Sequence, residues 1–582
     1  MKKINRLLIF VLTGFLFSTS LNAQNGSPTF ADLILRNGAI YTVDGARTWA
    51  EAVAIKDGRF IYVGSTNGAK KFQGRQTRVL DLQGKFVLPG FHDSHVHPIS
   101  GGVELGECNL NEATTEDQVL ETIRKFVDAH PQAKWIRGGG WQLFIFKDAN
   151  PHKSLLDKIA NDRPIYLTAA DGHSAWVNSK ALEIAGITKE TPNPTNGRIE
   201  RDPETGEPTG TLREDASGLV GKFLPQYSRA DRLEGLRRAL KMAAGFGITS
   251  LQDASVDEDE LEIYQELDRR GELTARVVAA LYADPDDGLQ QIARFKSLRR
   301  QYQGKNLRAT AVKIFADGVI EPHTAALLEP YLGMNGERGK PNWQPDALNK
   351  MVAALDREGF QIHVHAIGDR AVRMALDAYE YARKINGSRD SRHHIAHLEL
   401  IHPQDIPRFR ELNVIANFQP LWAYADPYIT QLTEPFLGAE RSRWLYPIGS
   451  AMRSGAVVAM GSDWSVTSMN PLDAMQVAVT RRGLTAGEGD AWHAEELIDL
   501  PATLAGYTIN GAYVNFEEKE TGSIAVGKNA DLIVLDKNLF AIPKTEIHQV
   551  KVIRTFLGGK EIYRQESLNR KSNKKMEIKP MR

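Results

Sequence analysis

Residues 87–98 read VLPGFHDSHVHP, an apolar run ending in two histidines one residue apart, with Asp93 just before them. Side chains at i and i+2 of a strand point to the same side. His95 and His97 can therefore aim imidazole nitrogens into one space and bind one metal ion. A His-x-His pair alone suits two hydrogen-bonded strand-end residues equally well, so the reading depends on partners from elsewhere in the chain. Four polar residues in other apolar runs qualify. Lys313 stands inside TAVKIFADG, next to Val312, Ile314 and Phe315, where a lysine cation is expensive unless paired or discharged. His365 ends the run in FQIHVHAIGD, His397 in HHIAHLEL and Asp463 in AVVAMGSDW. His363 could point inward as well as His365, and His393 and His394 compete with His397.

These residues need a frame that brings strand ends together. With VLPGFHDSHVH, the runs ITSLQDAS, ARVVAALYA, TAVKIFADG, FQIHVHAIGD, HHIAHLEL, VIANFQP and AVVAMGSDW make eight strand candidates, many followed by helical stretches. That is the count of a (β/α)8 TIM barrel, an α/β fold whose chemistry sits at the C-terminal strand ends. Strands covered on both faces read as near-continuous apolar runs, as these do. Between the first two runs lies a long insertion, about residues 99–245, with the strands WIRGGGW and PIYLTAADGH, expected as a lobe over one barrel end. Residues 30–86 alternate short β-rich runs with Asn-Gly and Asp-Gly, which read as hairpin turns. The same texture returns over 520–566, so both chain ends are expected to build one small β-sandwich around a barrel over 87–519. The last segment, 567–582, is basic and polar and reads as a disordered tail.

The bulk numbers set limits. The chain has 582 residues, 25% charged and 42% hydrophobic, with 72 basic residues against 72 acidic ones. Zero formal charge argues against nucleic acid or an anionic membrane surface as the main partner. The start has a basic head, an apolar run and a small-residue end at Ala23, the pattern of a cleaved secretory signal over 1–23. A periplasmic or secreted protein with no stable membrane insertion after cleavage is the expectation, with a small molecule as substrate and a homodimer as a compatible assembly. Cys108 is the only cysteine, so no intramolecular disulfide can form.

Taken together, LPGFHDSHVHP, VKIFADG, HAIGDRA, DGHSAWVNS and GSDW resemble the amidohydrolase superfamily, in the branch that includes N-substituted formamide deformylases. The resemblance spans nearly the whole chain after the signal. It implies a centre in which His95, His97 and Asp463 hold one divalent ion and His365 and His397 a second. Lys313 would bridge them after carboxylation by CO2, so the buried lysine need not be a cation. His365 is preferred over His363 because it immediately precedes AIGD, as the family's ligand does. Zn2+ is the default ion, one or two per chain.

The implied reaction is hydrolysis of a non-peptide amide-type C–N bond, of the N-substituted formamide or N-acyl amine class, by a metal-activated hydroxide. Asp463 would shuttle the proton to the leaving nitrogen. In the insertion, DGHSAWVNS offers His173 as oxyanion holder, with Trp176 and Asn178 as substrate contacts. Trp141 in GGGWQLF is expected on a pliable loop as an apolar wall, and Glu214 and His323 are further pocket candidates. YLGMNGERGKPNW, after the fourth run, is a candidate lid. Two other readings stand beside this one: an ester or lactone hydrolase or deaminase on the same scaffold, and a non-catalytic exported metal- or ligand-binding protein. Superfamily deaminases usually lack the bridging lysine, and a pure binder has no need of a proton-shuttling aspartate.

Overall fold

The computed structural model describes residues 30–111, 113–485 and 490–566. The signal expected over 1–23 and the tail expected over 567–582 lie outside the described residues. Among the described residues no helix is long and apolar enough to cross a membrane.

All eight expected runs form strands of one parallel sheet: β1 (Phe91–Val96), β2 (Ile248–Val256), β3 (Arg276–Tyr282), β4 (Leu307–Phe315), β5 (Gln361–Ala366), β6 (His394–His397), β7 (Ile415–Phe418) and β8 (Val458–Met460). Spatial order follows chain order, as right-handed crossovers through helices require. The sheet curls into a barrel because β1 and the chain just after β8 meet. Asp463 N donates to His95 O at 2.8 Å and His97 N to Trp464 O at 2.8 Å. Helices alternate with the strands and turn apolar faces inward. The helix Glu258–Arg270 starts at a capping box, Asp257 with Glu260, and stops at Gly271 in the left-handed conformation, start and stop signals both written locally.

The inserted lobe is a six-stranded mixed sheet running from Cys108–Asn109 to Pro208–Glu214, with WIRGGGW and PIYLTAADGH contributing Ile136–Trp141 and Ile165–Ala169 as parallel neighbours. It ends earlier than the expected residue 245. The helix Arg229–Gly245 buries Leu236, Ala239, Leu240 and Ala243 in the barrel's own core, because it is the crossover that returns the chain to β2. The expected pliable loop at Gly138–Gly140 is a correction too. These residues lie in a strand, where a Cβ on Gly138 would stand 2.1 Å from Cys108 O, so glycine is there for close backbone approach.

The chain ends do share a sheet. Leu532–Leu535 pairs antiparallel with Phe86–Pro89, matching Ile533 to Leu88, and a four-stranded sheet from residues 33–81 covers it through Leu35, Val53, Phe60, Val534 and Phe556. Asp57-Gly58 makes the expected hairpin, joining Ala52–Lys56 to Arg59–Gly64, with both turn residues at positive φ. Asn37-Gly38 does not. Leu33–Arg36 and Ala39–Tyr41 go to different sheets, since Ala39–Tyr41 finds its partners in Trp49–Ala50 and Phe86–Pro89.

The closing seam leaves no room at Gly461, where a Cβ would stand 2.6 Å from His95 N and 2.8 Å from His95 Cβ. Gly461→Ala is expected to destabilise the fold by about 1–3 kcal/mol through overpacking, read as a lower urea midpoint; an unchanged midpoint would show that the seam yields.

Candidate metal centre

Each candidate ligand sits at or just past the C-terminal end of a barrel strand. β4 and β5 pair Lys313 with His363 and Phe315 with His365, and β5 and β6 pair Ala366 with His397. In this register Lys313, His365 and His397 reach the level of His95 on β1. Asp463, three residues beyond β8, completes the group. Its Oδ1 lies 3.3 Å from His95 Nε2 and 3.2 Å from His97 Nε2, and its Oδ2 3.8 Å from His397 Nδ1. Ligand atoms of His95, His397 and Asp463 all fall within 4.8 Å of one another. Lys313 Nζ is 3.5 Å from His95 Nε2. The rings of His365 and His397 are 4.5 Å apart, while His365 Nε2 faces Gly318 O at 3.2 Å, leaving Nδ1 as its other donor.

The surroundings are dry. His95, Lys313, His365 and His397 are each no more than 2% exposed. Burial, with the Lys313 amine second, presses the His95 imidazole down to about 3, so it is neutral with a lone pair to give. Burial likewise lowers the Lys313 amine to about 7, against the pull of Asp463 and Asp253. An uncharged amine is therefore accessible near neutral pH. Two of the candidate ligands carry backbone strain as well, with φ at 77° for His397 and 53° for Asp463. Left-handed conformations of such residues cost about 1–3 kcal/mol each and cluster at functional sites.

Asp93 holds the aspartate turn from below. Its Oδ1 accepts from Ser462 N at 2.9 Å and its Oδ2 from Ser462 Oγ at 2.6 Å. From above comes the lobe. His173 Nδ1 is 2.9 Å from Glu214 Oε2, Glu214 Oε1 accepts from Thr324 Oγ1 at 2.6 Å, and the His173 ring is 5.5 Å from that of His365. Burial alone would lower the His173 pKa, but the carboxylates of Glu214, Asp171 and Asp463 together outweigh it and raise it to about 9. An imidazolium thus hangs beside a set of neutral imidazoles.

A model of the amidohydrolase family matches residues 78–563. The chain belongs to the amidohydrolase family. It is a hydrolytic enzyme of that family, and its parallel barrel with a separate β-rich region is the family's fold. Among its relatives, Protein LONG AFTER FAR-RED 3 of Arabidopsis thaliana is 32% identical over 95% of this chain and 95% of its own length. The N-substituted formamide deformylase of Arthrobacter pascens is 28% identical over 91% of this chain and 97% of its own. A crystal structure of an uncharacterized metal-dependent hydrolase from Pyrococcus horikoshii superposes with a TM-score of 0.70 at 25% identity, covering 88% of this chain and 99% of the other.

In this amidohydrolase four expected substrate contacts go elsewhere. Trp141 and Trp176 are fully buried inside the lobe, meeting edge to face at 6.2 Å, with Trp141 Nε1 donating to Leu167 O at 3.0 Å. Both are apolar anchors of the lobe core, which had to be filled before it could hold His173. Asn178 is fully buried too. It accepts from Ile165 N and Ala181 N and donates to Ala160 O and Arg163 O, so its side chain is spent on backbone. His323 packs its ring on Phe436 at 4.2 Å and Tyr331 at 5.1 Å rather than on the histidines. The lid candidate is laced down by Leu332 N to Phe436 O at 2.8 Å and Asn342 N to Ala316 O at 2.8 Å.

Reading the sequence missed some neighbours. Asp253 lies near the end of β2, its Oδ1 4.0 Å from His97 Nδ1 and its Oδ2 accepting from Tyr264 Oη at 2.6 Å. The signal that found the others, a polar residue late in an apolar strand, marks it in SLQDAS. Trp422, which stacks on His397 at 5.6 Å and 7°, sits in a single 3-10 turn after β7 and leaves no such mark.

Asn178→Ala strands several buried backbone groups and is expected to lower stability by about 1–3 kcal/mol. Thermal unfolding and steady-state kinetics on the folded fraction check this, and KM should stay at the wild-type value. A raised KM would return Asn178 to the substrate pocket.

Proposed function

We propose that the enzyme hydrolyses the C–N bond of a small N-formyl or N-acyl amine at a divalent metal centre held by His95, His97, His365, His397 and Asp463. The observation that carries this reading is the convergence of the His95, His397 and Asp463 donor atoms within 4.8 Å at the barrel's C-terminal end. The donors fit such an ion. Burial keeps the His95, His365 and His397 imidazoles neutral, His97 and Asp463 add a ring nitrogen and a carboxylate, and the buried Nδ1 of His397 has no hydrogen-bond partner among the described residues. Lys313 would join them as a carbamate. Its uncharged amine adds to CO2 and releases a proton, and an anionic oxygen donor replaces the amine. Zn2+ suits these nitrogen and oxygen donors. The formamide deformylase relative supports the amide-type bond and leaves the acyl and amine groups open.

A divalent ion bound there supplies Lewis acidity and lets water act as a nucleophile near neutral pH. The chain's residues do the rest. Asp463, touching His95 and His97 through one oxygen, takes the proton from the attacking water and delivers it to the departing nitrogen. Water adds to the carbonyl carbon, the C–N bond breaks, and a carboxylic acid and an amine leave. His173, kept cationic by Glu214, donates a hydrogen bond to the carbonyl oxygen as negative charge develops there. Thr324 ties Glu214 to the loop after β4, so the lobe and the barrel present the donor jointly.

Assayed on N-benzylformamide after reconstitution with zinc, Asp463→Asn is expected to lose at least about 10³-fold in kcat while mass spectrometry still finds most of the metal. Near-normal turnover would remove Asp463 from the proton transfer. His173→Ala should lower kcat by about 10²–10³-fold with KM little changed, and an unaltered kcat would end the oxyanion role. Protein that takes up neither zinc nor manganese would overturn the whole reading.

A further inference from the structure

We propose that His363 is the positioning residue that sets the tautomer and orientation of His95 for metal binding. The proposal rests on the metal-centre reading above and adds a residue outside the ligand set.

His363 is fully buried on β5, in register with Lys313 on β4. Its Nε2 lies 2.9 Å from His95 Nδ1, with the rings 4.6 Å apart and nearly perpendicular at 81°. The other nitrogen of His95, Nε2, faces Asp463 Oδ1 and Lys313 Nζ, so it is the nitrogen turned towards the cluster. A neutral imidazole carries one proton on two nitrogens. If Nε2 gives its lone pair to a cation, the proton must sit on Nδ1 and needs an acceptor, because His95 is buried. His363 Nε2 stands where that acceptor must be. An outer partner of this kind is the general way a ligating histidine is fixed in tautomer and ring angle.

Two features make His363 more than a space-filling ring. Its ring packs against that of His394, 4.1 Å away, which limits how far it can turn. His97, the other histidine of the pair, has a looser outer contact in Asp253, at 4.0 Å. The two ligands on β1 are thus steadied unequally, and the deeper one depends on an imidazole borrowed from the fifth strand. Only a side chain that accepts a hydrogen bond at the Nε2 position can replace it.

The test is zinc affinity, measured as bound zinc per chain by mass spectrometry across a series of chelator-buffered free zinc concentrations. His363→Leu is expected to weaken zinc binding about 10- to 100-fold. His363→Gln, whose Oε1 can accept the same bond, should recover most of the loss. Equal affinity in wild type and His363→Leu would overturn the proposal, as would a Gln variant no better than Leu. If the Leu variant does not fold, as judged by circular dichroism, His363→Asn, too short to reach His95, is compared with His363→Gln, and equal affinities again overturn it. Failure of the metal reading looks different, because wild-type protein would then take up no zinc at all.

Discussion

The seam where the last barrel strand meets the first bears both the fold and the site. Asp463 donates its backbone N–H to the His95 carbonyl, and the same residue turns its carboxylate onto the His95 and His97 rings. Closing the barrel and assembling the candidate ligands are therefore one event. Asp93, reaching across from β1 to Ser462, and the missing side chain of Gly461 keep that seam tight. A candidate ligand set spread over strands that meet only on closure cannot form in a partly folded chain, so any metal affinity of these residues would depend on the integrity of the whole barrel.

Burial sets the electrostatics of the centre. Placing several imidazoles, one amine and one carboxylate in a water-poor space favours the neutral forms of the nitrogen bases, and neutral nitrogen bases are what a metal binds. The positive φ angles at His397 and Asp463 are sustained by the rigid strands on either side. The lobe brings a different element, a histidine kept protonated by a carboxylate, and hangs it beside His365. One side of the cleft offers lone pairs and the other a proton, a division that hydrolysis of an amide can use.

Much of this was legible in the residues themselves. Eight apolar runs, the late polar residue in several of them and the β-rich texture at both ends sufficed for the barrel and the shared sheet, because strand periodicity and burial are local consequences of side-chain type. The lobe was harder. Trp141, Trp176 and Asn178 look like pocket residues in a linear reading, since aromatics and amides beside glycines serve equally in a cleft or a core. Only the packing of the lobe sheet sends the tryptophans inward, and only the helix start after it spends Asn178 on backbone. Asn37-Gly38 shows the same limit, as its turn chemistry was right but its flanking strands belong to different sheets.

By itself the sequence determined which residues could bind a metal, that they fall at strand ends, and that a lysine among them would be buried. Those statements depend on residue type and nearest neighbours. The tertiary structure alone decided that Asp463 sits between His95, His97 and His397, that Glu214 charges His173, and that His363 backs His95. The reason is physical. Each is a contact of a few ångströms between residues far apart in the chain, and such distances are set by barrel closure, strand register and the docking of the lobe, none of which a local pattern of side chains can encode.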